Sequence, residues 1–98
     1  MLKRIVKMQF EPESVTRFLE VFEENAQYIR DAHGCHYLEL VEDTQNSCTF
    51  FTLSIWSSEN ALNDYRNSEL FKNTWAQTKP LFAVRAEAWS VESKFRFE

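Results

Sequence analysis

Phe50-Phe51-Thr52-Leu53-Ser54-Ile55-Trp56-Ser57-Ser58-Glu59-Asn60-Ala61-Leu62-Asn63-Asp64-Tyr65-Arg66-Asn67-Ser68-Glu69-Leu70-Phe71-Lys72-Asn73-Thr74-Trp75 reads as a strand running straight into a broken helix. The apolar run stops at Ser57-Ser58, where either hydroxyl can cap a helix by accepting from the free N–H groups of its first turn. Leu62, Tyr65 and Arg66 follow at helical spacing. Asn67-Ser68 interrupts them, and Ser68 followed by Glu69 reads as a second cap. Beyond it Leu70, Phe71, Trp75 and Thr78 define another apolar-leaning face. One strand thus feeds two helical pieces carrying a Tyr, a Phe and a Trp, placed either to cover a sheet or to line a pocket. For any single ring, plain core packing is the ordinary alternative to ligand contact.

The strand at the head of this stretch is apolar on both sides. Phe51, Leu53 and Ile55 share one parity, while Phe50 and Trp56, with Thr52 and Ser54 between them, share the other. A strand with one wet face would not place Phe50 and Trp56 on it, so both faces of the sheet need cover. One helical layer supplies the first cover, and a chain of 98 residues has no spare element for the second. The expected partner is a second copy of the chain, giving a homodimer joined through its sheet faces.

Toward the N-terminus, Asp43-Thr44-Gln45-Asn46-Ser47 is polar throughout and predicts a short loop between strands at 35–42 and 48–56, an antiparallel hairpin. Before it, Val15, Phe18, Leu19, Phe22, Ala26 and Ile29 mark the apolar face of a helix over 15–30, with Arg17, Glu20, Glu23, Glu24 and Arg30 outside. Pro12 suits its first turn, and the flanking acids Glu11 and Glu13 oppose the positive end of the helix dipole. The only glycine, Gly34, follows Asp31-Ala32-His33 and is expected as the left-handed residue that stops this helix. Leu2, Val6, Met8 and Phe10 share a parity against Lys3, Lys7 and Gln9, which gives a first strand. Toward the C-terminus, Pro80-Leu81-Phe82 ends the broken helix. Trp89, Val91 and Phe95 then alternate with Ser90, Glu92 and Lys94 in a last strand over 86–95. The order strand, helix, strand, strand, broken helix, strand predicts an α+β fold of the ferredoxin-like βαββαβ type. Its sheet has four antiparallel strands with helices on one face, in a single domain over 1–98.

Bulk properties exclude several functions. A net charge of −4 argues against nucleic acid, whose backbone is held by clustered Lys and Arg. Residues 1–10 alternate apolar with basic residues rather than forming a signal peptide, and no apolar run reaches membrane-spanning length. A cytoplasmic protein with no membrane partner is the expectation. Cys35 and Cys48 have no metal-ligand spacing and read as two reduced thiols, with a cross-strand bridge as the alternative. A single glycine rules out a phosphate-cradling loop and a GxSxG elbow, and no His pair with a nearby carboxylate suggests a metal.

Trp56-Ser57-Ser58-Glu59, Ala61-Leu62, Tyr65-Arg66, Ser68 and Leu70-Phe71 resemble the antibiotic biosynthesis monooxygenase (ABM) domain. So do Gly34-Cys35-His36 ahead of the second strand and Ala88-Trp89-Ser90 near the end. The resemblance covers nearly the whole chain in order, and its motifs are more specific for fold than for reaction. It implies a dimeric α+β barrel, two ferredoxin-like sheets packed face to face. It also implies a cofactor-independent monooxygenase that oxidises phenolic polyketides or quinols with molecular oxygen, although the family includes haem-degrading enzymes and members of no known activity. Where haem-degrading relatives carry an iron-ligating His, an Asn on strand one and a Trp on the first half-helix, this chain resembles them in none of the three. It has Trp75, no Asn and Tyr65 respectively. Haem is therefore not expected, and no cofactor is.

A cofactor-free oxygenase must hold an electron-rich phenol in an apolar site and stabilise its anion. Tyr65, Trp75 and His36 are the candidate catalytic residues, with Trp56, Phe71, Tyr37 and Asn63 as candidate substrate-binding residues. His36 shares its parity with Leu38 and Leu40, which would set it on an apolar face, where a lone His is more often structural. His33 reads as a surface residue at the helix end; Arg85, ahead of the last strand, could hold an anionic oxygen, but an exposed loop residue is its ordinary reading. The expected ligand is a small apolar or aromatic molecule. The competing reading is a non-catalytic dimeric binding module of the same fold.

Overall fold

The computed structural model describes residues 1–98. Four strands form one antiparallel sheet: β1 (Leu2–Gln9), β2 (Cys35–Asp43), β3 (Asn46–Trp56) and β4 (Glu87–Glu92), in the order β2-β3-β1-β4. The helices α1 (Val15–Arg30), α2 (Glu59–Arg66) and α3 (Glu69–Thr78) connect them, with short 3-10 turns at Pro12–Ser14 and Lys79–Leu81. This is the ferredoxin-like α+β arrangement expected from the sequence.

Register sorts every strand residue onto one of two faces. Val6 pairs with Thr52 and Ala88, Met8 with Phe50, and Leu2 with Trp56. These side chains share the face that the helices cover. Met8, Phe10, Phe18 and Phe50 form one buried cluster there, and Cys35, Trp56, Ala61 and Leu62 form a second. The opposite face carries Ile5 between Leu53 and Trp89, with Phe51, Ile55, Val41 and Val91 around it. No residue of that face belongs to either buried cluster, and Tyr37, Trp89 and Val91 on it are exposed. Both sides of β3 are thus apolar, and within one chain only the Phe50 and Trp56 side is covered.

Local chemistry sets the breaks. Ser58 caps α2, its Oγ accepting from the Ala61 N–H at 3.1 Å. Ser68 caps α3 by accepting from the Phe71 N–H at 3.2 Å, and its own hydroxyl donates to the Tyr65 carbonyl at 2.6 Å. One side chain therefore terminates α2 and starts α3. Gly34 has φ +82° as anticipated, but α1 already ends at Arg30, so it is not the helix-capping residue. It occupies the third position of a turn closed by the Cys35 N–H to the Ala32 carbonyl at 3.0 Å, where positive φ favours glycine. A Cβ there would lie 2.5 Å from the Ala61 Cβ, so this glycine also lets α2 approach the start of β2.

Several expectations shift. In α1 the buried residues are Phe18, Val21 and Ile29, whereas Leu19 is exposed. The inward stripe therefore runs through Val21 and not Leu19. The hairpin turn is tighter than a 43–47 loop: Asp43 pairs with Asn46, and the Asp43 carboxylate accepts from the Gln45 N–H at 2.7 Å. β4 stops at Glu92, opposite Leu2, the first residue of β1. Phe95 is left exposed beyond the strand. Both cysteines are free. Cys35 lies opposite Trp56, so along β3 Cys48 is about 25 Å away at strand rise, far beyond disulfide reach.

Candidate functional site

Between the helix-covered sheet face and the helices lies a cavity of about 320 Å³. That volume falls in the range that holds a small ligand. Strand residues Val6, Met8, Thr52 and Ser54 form its floor, α1 contributes Phe18 and Phe22, and the broken helix forms the other wall. Thirteen of its nineteen lining residues are hydrophobic, so the site favours apolar ligands.

The broken helix builds an aromatic ladder along this wall. Tyr65 stacks on Trp56 with ring centroids 5.0 Å apart and meets Phe71 edge-on at 5.3 Å. Phe71 stacks on Trp75 at 5.8 Å, and Trp75 meets Phe82 edge-on at 5.4 Å. Phe71 and Trp75 sit four residues apart on α3, which puts them on one helix face. Only the break at Ser68 lets Tyr65 of α2 meet them. Trp56 is anchored by its indole N–H, which donates to the buried Ser54 hydroxyl at 3.0 Å.

Tyr65 is the polar group best placed for chemistry. Its ring is clamped, and its hydroxyl has no partner in the protein. No buried side-chain polar atom lacks a partner, so that hydroxyl opens onto accessible space. Burial, and after it the neighbouring Cys35 thiol, push its pKa up to about 12. At neutral pH it is therefore a hydrogen-bond donor and not a base. Two arginines, Arg4 and Arg66, also line the cavity, and no carboxylate or imidazole does. Burial, and after it the like charge of Arg66, pull Arg4 below the usual arginine range.

The family model for antibiotic biosynthesis monooxygenases matches residues 1–77. The chain belongs to that family. Solved structures share its fold over nearly their whole length. One is an antibiotic biosynthesis monooxygenase at 19% identity and TM-score 0.90, covering 95% of this chain and 98% of that one. Another is a conserved protein from Methanosarcina mazei Go1 at 19% identity and TM-score 0.91, covering 95% and 92%. A third is Rv0793 from Mycobacterium tuberculosis at 16% identity and TM-score 0.89, covering 99% and 98%. At these identities the likeness speaks for the fold alone. No curated protein matches the chain.

Within this ABM domain, the sequence-predicted site residues divide into two groups. Trp56, Tyr65, Phe71 and Trp75 come together around the cavity. His36, Tyr37 and Asn63 do not, and all three are exposed. The parity argument for His36 fails at a β-bulge: Cys35 pairs with Trp56 and Tyr37 with Ile55, leaving His36 as the extra residue. Tyr37 alternates with Leu38 and so lies on the open face, opposite Ile55, where its hydroxyl donates to Glu39 at 2.7 Å. Asn63 lies on the outer side of α2, with its carbonyl accepting from the Asn67 side chain. Arg85 is exposed and lines a separate groove beside Trp75 and Phe82. Sequence reading missed Arg4, although its signal was present: an arginine on the Leu2, Val6, Met8 parity of β1 must point to the helix-covered face.

Proposed function

We propose that this chain is a cofactor-independent monooxygenase acting on a small phenolic or quinol-like aromatic molecule bound in the cavity. The supporting observation is the aromatic-walled cavity lined by Tyr65, whose hydroxyl has no protein partner. A phenol whose ring activates a neighbouring CH2 carries all the electrons the reaction needs. The CH2 becomes C=O, one atom of O2 is incorporated, and the other leaves as water. The protein's share is to orient the ring between the floor of the sheet and the ladder of Tyr65, Phe71 and Trp75. It also excludes water and donates a hydrogen bond from Tyr65 to oxygen as charge develops there. No side chain lining the cavity can serve as a strong general base, so the substrate has to ionise readily by itself.

The test is oxygen consumption by the purified protein with hydroquinones, naphthols and anthrone-like phenols, without added metal or flavin. Uptake above the protein-free rate, reduced in Tyr65→Phe and Trp75→Phe, supports the reading. The absence of a general base favours one alternative, a non-catalytic module that binds the same class of ligand. In that case the same compounds bind but are recovered unchanged.

The second copy needed to cover the open sheet face belongs to this proposal. Ile5, Leu53, Ile55, Trp89 and Val91 form an apolar patch on a face with no helix over it. A sheet-to-sheet homodimer would bury that patch. Sedimentation at micromolar concentration tests it, and a mass of one chain refutes it.

A further inference from the structure

We propose that Arg4 and Arg66 form an anion seat that makes the cavity selective for planar aromatic ligands bearing an ionised oxygen. This rests on reading the cavity as a ligand site, and it adds the charge of the ligand to that reading.

Arg4 enters from the middle of the sheet, opposite Ser54 on β3 and Ser90 on β4. It is partly buried, on the face covered by the helices, and its Nη1 donates to the Ser90 hydroxyl at 2.9 Å. That contact holds the guanidinium while leaving most of its N–H groups free. Arg66 comes from the last turn of α2, one residue after Tyr65, and is exposed while lining the same cavity. They are the only charged residues in the lining. The one ion pair in the structure joins Arg96 to Glu98 in the C-terminal tail, so no carboxylate neutralises either arginine. Two like charges facing a largely apolar cavity repel one another, and an anion between them relieves that repulsion. A guanidinium also offers paired donors that match a carboxylate and stacks on flat rings. The aromatic ladder would take the ring of such a ligand, and the arginines its ionised oxygen.

A structural reading competes for Arg66, because a cation in the last turn of a helix complements the dipole. It predicts a stability loss in an Arg66 variant with no change in ligand preference.

The decisive experiment uses two probes with the same naphthalene ring system, 2-naphthoate and the neutral 2-naphthylmethanol. Binding is followed through tryptophan fluorescence, since Trp56 and Trp75 line the cavity. In the native chain naphthoate should bind about tenfold tighter or more, the scale of hydrogen bonds to a charged group. Added salt should narrow that preference. Arg4→Met and Arg66→Met should each reduce it several-fold. A parallel titration of 4-nitrophenol separates the two sources of an ionised oxygen. If the yellow phenolate band of the bound probe appears at lower pH than that of free probe, the seat takes phenolates as well as carboxylates. If naphthoate is preferred without that shift, it takes carboxylates. Equal binding of the two naphthyl probes by the native chain overturns the proposal, as does a preference that survives both substitutions. Binding of neither probe overturns it together with the ligand-site reading. Should the variants not fold, the native probe pair and its salt dependence still decide. No oxygen enters the measurement. Anion selectivity without oxygen uptake keeps the seat and removes the oxygenase, and uptake without selectivity does the reverse.

Discussion

Gly34→Ala is the sharpest probe of how the candidate site is held. Two separate costs meet at this position. The backbone sits at φ +82°, which an L side chain tolerates at a cost of about 1–2 kcal/mol. The new methyl would also lie 2.5 Å from the Ala61 Cβ and 2.8 Å from the Ser57 Oγ. The serine hydroxyl can rotate away, but the alanine methyl is fixed to α2 and can move only with the helix. Overpacking of this kind costs about 1–3 kcal/mol. The sum is about 3 kcal/mol, which in a domain of this size lowers Tm by at least about 10 °C. Circular dichroism during urea and thermal unfolding measures it. A double-mutant cycle with Ala61→Gly separates the two costs. Removing the second methyl should recover about 1–2 kcal/mol and leave the backbone part in place. Ala61 belongs to the buried cluster with Trp56, against which Tyr65 packs, so the displaced helix should also weaken aromatic-probe binding in the single variant. A Gly34→Ala protein within about 0.5 kcal/mol of the native one would refute the reasoning, as would zero coupling to Ala61→Gly.

Three further predictions concern the site and the open face. Tyr65→Phe should fold with near-native stability at neutral pH, since the hydroxyl has no protein partner, while oxygen uptake falls about 10²-fold through loss of one donor. Its pH dependence has a definite sign: Tyr65 ionises near 10 when unfolded and at about 12 when folded. The native protein should therefore lose about 2–3 kcal/mol relative to Tyr65→Phe as pH rises from 10 to 12, with no such difference below 10. Urea midpoints across that range check it. Ser68→Ala removes the shared cap of α2 and α3 and should cost about 1 kcal/mol in chemical denaturation, while exchange of the Phe71 amide speeds up. Leu53→Asp places a charge in the centre of the open apolar face, between Ile5 and Glu39. It should sediment as a single chain while keeping its circular dichroism spectrum, and an unchanged mass would count against sheet-to-sheet pairing.

Much of the candidate site was legible in the sequence, because its wall is built from local spacing. Phe71 and Trp75 lie four apart, Ser68 reads as a cap, and Trp56 ends an apolar strand next to Ser57-Ser58. Each of those signals depends on neighbours a few residues away. His36 shows where such reasoning stops: a period-two pattern assumes an unbroken ladder, and one bulged residue reverses which face follows. Arg4 shows a different failure. Its parity was readable, but a guanidinium set among apolar residues has meaning only once Arg66, sixty-two positions later, is brought to the same cavity.

By itself, the sequence determined the order of elements, the helix break, the parity of β1 and the two-sided apolar character of β3. These follow from backbone periodicities and capping chemistry that act over a few residues. Only the tertiary structure decided which face of β3 the helices cover and that Tyr65 lines a cavity with its hydroxyl free of protein partners. It also decided that Gly34 touches Ala61 and that two arginines share one cavity without a carboxylate. These are relations between segments far apart in the chain. They depend on register and helix placement, which are set by packing the whole core at once.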